Sequence, residues 1–596
     1  MILPGAVLAL SLAVSPAPPV VRYLLRVDPA DLTGFTVEMR IRGATDTLRL
    51  AMAAHPEYDD KYWKYIEGLT VEGREGQVTP VRRDSALWLA VVPGGTSVVR
   101  YRLRLPRETM ARRMAWQPFL SGTGGAIGGP HSFMYLTDAP GIPAHVRLEI
   151  PAGWEAVTGL ESTSDPQTFY APTVDVLVDS PILIGRLKTW RFLVEGVPHR
   201  VAYWPLPDAA PFDTTTFSGS LERLAQQAFA LFGSFPYREY SFLYQDGAVG
   251  GLEHHNSVSL GAPSSDLATN VNQYLMEGAH EFVHTWNLMH LRPAERRGVD
   301  YRAGPPSRGL WWSEGLTLFY ADLLIRRAGL PALEPTRTAR LANLIARYLA
   351  SPGNSRLSPE AVSLVAYGAP PGSLGDLEAS THLQGELLGN MLDFIVRDGS
   401  GGRQSIDDVM RAMVQQFSGT RGFTGRDIEA TTARVCGCRV DPFFAAHVRG
   451  AVAIDFNRYL GLAGLSARVT SAPALAQENR PATDLRIRAW LPPGERQLSL
   501  LIINPDAIWG RAGLHTGDRL RSVNGTSITQ VSEFRSFLGR LAIGDTVRIE
   551  VSRPAGAFAT TVTIRGFDRP VVSIDTIPSA TAKQRMIREA WLAGRG

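Results

Sequence analysis

Along the first third of the chain, apolar and polar residues alternate with a period of two. Phe35, Val37, Met39 and Ile41 alternate with Thr36, Glu38, Arg40 and Arg42, and Val99, Tyr101, Leu103 and Leu105 alternate with arginines. Such alternation puts one face of a strand in a core and the other in water. Apolar runs at 146–150 and 174–187 carry the strand pattern to about residue 204, predicting a β-sandwich or saddle that packs beside a second domain. From about residue 210 the period turns helical. Helices are expected over 221–232, 272–289, 313–328, 336–350, 381–397 and 406–417, with loops rich in glycine and proline at 298–309 and 367–376.

After Leu465 the composition shifts to Ser, Ala, Pro, Gln and Asn, which reads as a linker over 466–482. Beyond it, Leu498 to Ile503 is strand-like and Val523-Asn524-Gly525 makes a tight hairpin turn. Phe534, Phe537, Leu538 and Leu541 mark one face of a short helix, and a strand follows at 547–551. With Ala512-Gly513-Leu514 and Gly517-Asp518 at their intervals, this stretch resembles a bacterial PDZ domain, a module that adds an extended peptide as a strand beside its sheet. Leu485-Arg486-Ile487 would be the receiving edge; a purely structural β-module is the alternative. A tail over 568–596 contains a short helix at 582–592.

The domain reading is therefore a leader at 1–19, a β domain at 20–205, a mainly α domain at 206–465, the linker, a PDZ-like module at 483–567 and the tail. The leader rests on the apolar run from Ile2 to Val14, followed by Ser15-Pro16-Ala17, which has the form of a signal-peptide core and cleavage region without a basic start. Export to the periplasm or medium is expected, with a cytoplasmic protein whose first strand begins here as the alternative. No segment has the length and apolarity of a membrane span.

Composition adds exclusions. With 596 residues, 44% hydrophobic and 20% charged, the chain has ample core material and no disorder signature. The net charge of +4 is spread along strands and helices, so no nucleic-acid footprint is expected. The two cysteines, Cys436 and Cys438, are separated by one glycine, too tightly for an ordinary disulfide framework, and are read as structural or incidental.

Chemistry is concentrated in two segments. His280-Glu281-Phe282-Val283-His284 places two imidazoles one helical turn apart on one face, where both reach a single metal. Glu281 can then deprotonate a zinc-activated water. A catalytic zinc takes three protein ligands, and Glu314, in Trp311-Trp312-Ser313-Glu314-Gly315, opens a second helix from which a carboxylate can supply the third. Upstream, Gly250-Gly251-Leu252-Glu253-His254-His255 offers glycines that let a backbone approach a ligand and a carboxylate that can hold a free ammonium. The adjacent histidines read as surface residues.

These segments, together with Leu291-Arg292-Pro293 and the run from Leu310 to Leu323, resemble the glycyl aminopeptidase family, gluzincin metallopeptidases that carry a PDZ domain. The resemblance implies a thermolysin-like catalytic domain and one Zn2+ per chain on His280, His284 and Glu314, with Glu281 as general base. It further implies that Glu253 binds the substrate amine and that Gly250 and Gly251 lie along the substrate backbone. Relatives carry an oxyanion-stabilising tyrosine on a later helix, where this chain has Ser380-Thr381-His382-Leu383-Gln384-Gly385. His382 takes that place, with Tyr367 as another candidate donor or the metal acting alone.

The expected architecture is thus multidomain α+β, and the expected partner a peptide with a free N-terminus, small residues being preferred by implication of the resemblance. Two rivals remain: an endopeptidase with the same zinc chemistry, and a non-catalytic binding protein whose PDZ module recruits a partner and whose zinc site is vestigial.

Overall fold

The computed structural model describes residues 20–43, 46–54, 61–105, 113–298, 301–302, 304–366, 379–476, 479–492 and 495–596. The leader-like stretch and Tyr367 lie outside the described residues.

The alternating segments build an eight-stranded sheet in which Val20–Arg26 pairs with Gly34–Arg42 on one side and, in parallel, with Ala144–Glu149 on the other. Val37, Met39 and Ile41 are buried, while on the outer face Arg100 bridges Glu38 at 2.8 Å and Glu72 at 2.6 Å. Exposed pairs of this kind contribute about 0–1 kcal/mol each, so burial of the apolar face is what holds the sheet. Two four-stranded sheets complete the region.

The run at 174–187 is not one strand. Val174–Asp179 is a helix, capped by the Thr173 side chain accepting from the Val176 amide, and Pro181–Gly185 is the strand. Valine's strand preference is outweighed here by an N-cap, an acidic first turn at Asp175, and a proline that ends the helix. The boundary expected at 205 also moves. Lys188–Val194 and Val197–Trp204 join Tyr240–Gln245, Ser257–Gly261 and Gly251–Glu253 in one five-stranded sheet, so these strands belong to the second domain.

The helical region packs around Val271–His284, Leu310–Arg327 and Thr381–Gly399, with Phe282, Trp311, Trp312 and Phe394 at its centre. The second and third of these helices meet backbone to backbone. A Cβ on Gly315 would lie 2.2 Å from the Gly385 Cα, and one on Gly385 would lie 1.9 Å from the Trp311 carbonyl oxygen.

The expected linker is a strand. Leu465–Pro473 pairs antiparallel with Asp568–Thr576 along its whole length, so the chain enters and leaves the C-terminal module through one ribbon. Most of the ribbon is exposed, which explains its polar composition. The tail returns to the helical core: Ala582–Leu592 buries Ile587 and Trp591 there, and the Arg337 guanidinium stacks on Trp591 at 4.5 Å. The C-terminal module is a five-stranded sheet with Ile487–Trp490 at its edge, slightly beyond the expected 485–487, and the helix Val531–Leu538 beside it.

Cys436 and Cys438 form a disulfide, contrary to the sequence reading. Gly437 adopts φ 61° as the helix C-cap, and this reversal brings the two Cα atoms to 5.1 Å, within bridging range. Among the described residues no helix is long and apolar enough to cross a membrane.

Gly385→Ala inserts a methyl against backbone that has no side chain to yield. It is expected to destabilise the protein by about 1–3 kcal/mol or more, read as a lowered midpoint in chemical unfolding. A Gly461→Ala control, whose Cβ meets nothing within 4 Å, should change stability little.

Candidate active site

Two elements deliver the imidazoles and a third the carboxylate. The helix Val271–His284 stops at its second histidine instead of running to 289, and the chain turns through Asn287 and Leu288, the latter at φ 151°. Asn287 explains the turn. Its carbonyl accepts from His284 Nδ1 at 3.1 Å, while its side-chain Nδ2 donates to the Trp312 and Ser313 carbonyls and to Thr317 Oγ1, each at 3.1 Å. One fully buried residue thus sets the tautomer of His284 and fastens the Glu314 helix to it.

In its neutral form, protonated on Nδ1, His284 aims an Nε2 lone pair inward, 3.1 Å from His280 Nε2. Glu314 Oε2 lies 3.8 Å from His280 Nε2 and 3.4 Å from His284 Nε2. Ligand atoms about 2.1 Å from one tetrahedral ion stand about 3.4 Å apart, so the triad fits a zinc ion as it stands. Glu314 also faces His382, whose Nε2 is 3.1 Å from Oε2.

Without a cation these groups perturb one another. Burial pushes the Glu281 carboxyl well above the usual range, and Glu253 adds to it. Burial acts in the same sense on Glu314, but His284 and His382 outweigh it and hold that carboxyl well below its ordinary value. His280 is depressed, by burial first and by His284 second. In His284 the neighbouring Glu314 and Glu253 overcome burial and raise the imidazole to about 10.

Among the described residues Gly251–Glu253 is the outer strand of its sheet, pairing with Ser257–Gly261. A Cβ on Gly251 would lie 2.5 Å from Glu281 Oε1, so glycine is what lets this strand run against the base. Gly250, at φ 78°, is covered on its other side by Met114 and Trp116, whose atoms would stand 2.9 and 3.1 Å from an added Cβ. These two residues come from the β region and had no signal in the sequence.

The paired histidines are not surface residues. His254 is buried, with Nδ1 3.2 Å from Asp179 Oδ1, and the His255 amide donates to Asp179 Oδ2 at 2.6 Å. His255 Nε2 meets Asp175 Oδ2 at 2.8 Å, and Arg292 reaches the same oxygen at 3.3 Å. The short helix that the sequence reading missed therefore anchors the segment carrying Glu253. Its aspartates, one turn apart, become recognisable only once the helix is known.

The catalytic and N-terminal regions each match a family description. Residues 274–385 match "M61 glycyl aminopeptidase" and residues 23–186 match "Peptidase M61 N-terminal domain". No curated protein matches the chain. Among solved structures it is similar to an aminopeptidase N family protein from Idiomarina loihiensis, at 21% identity, TM-score 0.74, and coverage of 96% of this chain and 100% of that one. The overall fold is therefore shared. A substrate-bound M1 zinc metallopeptidase from Deinococcus radiodurans aligns at 15% identity and TM-score 0.48, over 73% of this chain and 94% of that one.

Asn287→Ala removes three donated bonds from buried acceptors. It is expected to cost about 1–3 kcal/mol in chemical unfolding and to weaken zinc binding about 10–100-fold in chelator competition. Unchanged zinc affinity would show that the Asn287 side chain does not orient the site.

Proposed function

The chain belongs with the M61 glycyl aminopeptidases through its catalytic and N-terminal regions, and from that premise we propose that it is a zinc-dependent aminopeptidase releasing small N-terminal residues, glycine or alanine, from peptides. The observation that carries this reading is the spacing of His280, His284 and Glu314, set beside the outer strand Gly251–Glu253, which passes Glu281.

When bound, zinc supplies a Lewis acid that acidifies water and polarises the scissile carbonyl. Glu281 accepts the proton of the attacking water and returns it to the leaving amine. The substrate extends along Gly250 and Gly251, adding as a strand at the outer side of the sheet. Glu253, half-buried at the end of this strand, pairs with the substrate ammonium and so enforces the exopeptidase register. His382 faces the same space and can donate to the oxyanion. Met114 and Trp116, packed over Gly250, restrict the room beside the strand and support a small first residue.

The C-terminal module, read as a PDZ domain, would take an extended peptide along the edge Ile487–Trp490, beside the helix Val531–Leu538. The Cys436–Cys438 disulfide agrees with export to an oxidising compartment.

Glycyl- and alanyl-p-nitroanilide should be cleaved and their N-acetylated forms should not. Equal cleavage of the blocked forms would make the protein an endopeptidase. Glu281→Gln should lower kcat at least about 100-fold with zinc content unchanged, and zinc-replete wild type with no turnover of either set would favour a binding protein. Glu253→Ala should raise KM for free-amine substrates; unchanged kinetics would remove its anchoring role.

A further inference from the structure

His382 differs from the other groups of the site in its placement. His284 and His280 have side chains only 2% and 10% exposed, whereas that of His382 is 48% exposed, on the first turn of the helix Thr381–Gly399. Yet its ring points inward. Nε2 is 3.1 Å from Glu314 Oε2, and His280, Glu314 and His382 can each offer a metal one ring nitrogen or carboxylate oxygen within 4.8 Å of the others. The His280 and His382 rings are near parallel, at 27°, with centroids 5.9 Å apart.

The orientation is held from several sides. Thr381 Oγ1 lies 3.3 Å from His382 Nδ1, leaving Nε2 as the atom directed at the site. The Ser380 side chain caps the helix start by accepting from the Leu383 amide at 3.4 Å. One turn on, the Gly385–Gly315 contact fixes this helix against the one bearing Glu314. Imidazole is also a native ligand type for zinc, through either ring nitrogen.

We propose that His382 is a fourth protein ligand of the metal in the free protein, completing with His280, His284 and Glu314 a closed site that opens when this imidazole leaves. The inference rests on the zinc reading above. A catalytic zinc site needs one position free for water or substrate, and four protein ligands fill a tetrahedron. The half-exposed His382 is the member that can depart without opening the core, since the other three are packed within it. In the free protein it holds the metal; on departure it yields its position to solvent and becomes available as a donor to the substrate.

The test uses the full chain, stripped by a chelator and reloaded with zinc or cobalt(II). His382→Ala should weaken zinc binding about 100-fold or more in competition with a chromophoric chelator, because losing a group that merely supports a ligand already costs about 10–100-fold. The visible cobalt(II) absorption should shift in this variant and return to the wild-type form on adding imidazole. Glu281→Gln, which keeps all four ligands, should match wild type in both readouts. His382→Gln provides a second variant should the alanine protein fail to fold. Zinc affinity and cobalt spectrum both unchanged would overturn the proposal and leave the three-ligand site standing. Weakened affinity with an unchanged spectrum would also overturn it, assigning His382 a supporting role. Failure of wild type to take up zinc would overturn the zinc reading itself, and this inference with it.

Discussion

The contact on which the site depends has no side chains in it. Gly315 and Gly385 let two long helices touch through their backbones, and Glu314 and His382 sit beside that contact, one on each helix. Any Cβ at either glycine would collide with main chain, which cannot rotate away as a side chain can. The close approach therefore determines whether a carboxylate on one helix and an imidazole on the other share a space a few ångströms across. Asn287 acts on the third side, tying the end of the His280–His284 helix to the Glu314 helix through buried hydrogen bonds. Three helices are thus registered by one backbone contact and one amide.

The β region contributes to the same site. Met114 and Trp116 cover Gly250, and the aspartates of the helix Val174–Asp179 hold His254 and His255 in the turn after Glu253. The segment proposed to bind the substrate is thereby clamped between two regions of the chain, at the outer edge of its sheet. Rigid support on one side and a strand at the outer edge of its sheet on the other suit a site that receives an extended peptide in a single register. The C-terminal module stands apart from this arrangement, joined through the ribbon of Leu465–Pro473 and Asp568–Thr576, and secured by the tail helix that returns Trp591 to the helical core.

Much of this was legible before any coordinates. HEFVH carries its own geometry, because helical periodicity alone places His280 and His284 together, and Gly250-Gly251 announces a backbone that something approaches closely. The errors have local causes. The valines around 174–178 mimic a strand because β-branched residues favour strands on average, whereas Thr173 and Pro181 bracket a helix. The segment after Leu465 mimics a linker because a solvated ribbon has a polar composition. The Cys436-Gly437-Cys438 bridge was missed because it depends on a left-handed turn at the glycine between them.

Sequence by itself picked out the candidate groups and most of the elements carrying them, since both follow from spacing along a helix or strand of known period. Tertiary structure alone decided which residues meet across elements. It turned His254 and His255 from apparent surface residues into anchors, one buried and one half-buried, recruited Met114, Trp116, Asp175 and Asp179 from the β region, and set His382 against Glu314. Such meetings depend on how closely helices and sheets pack, a property of the whole core that no local window of residues encodes.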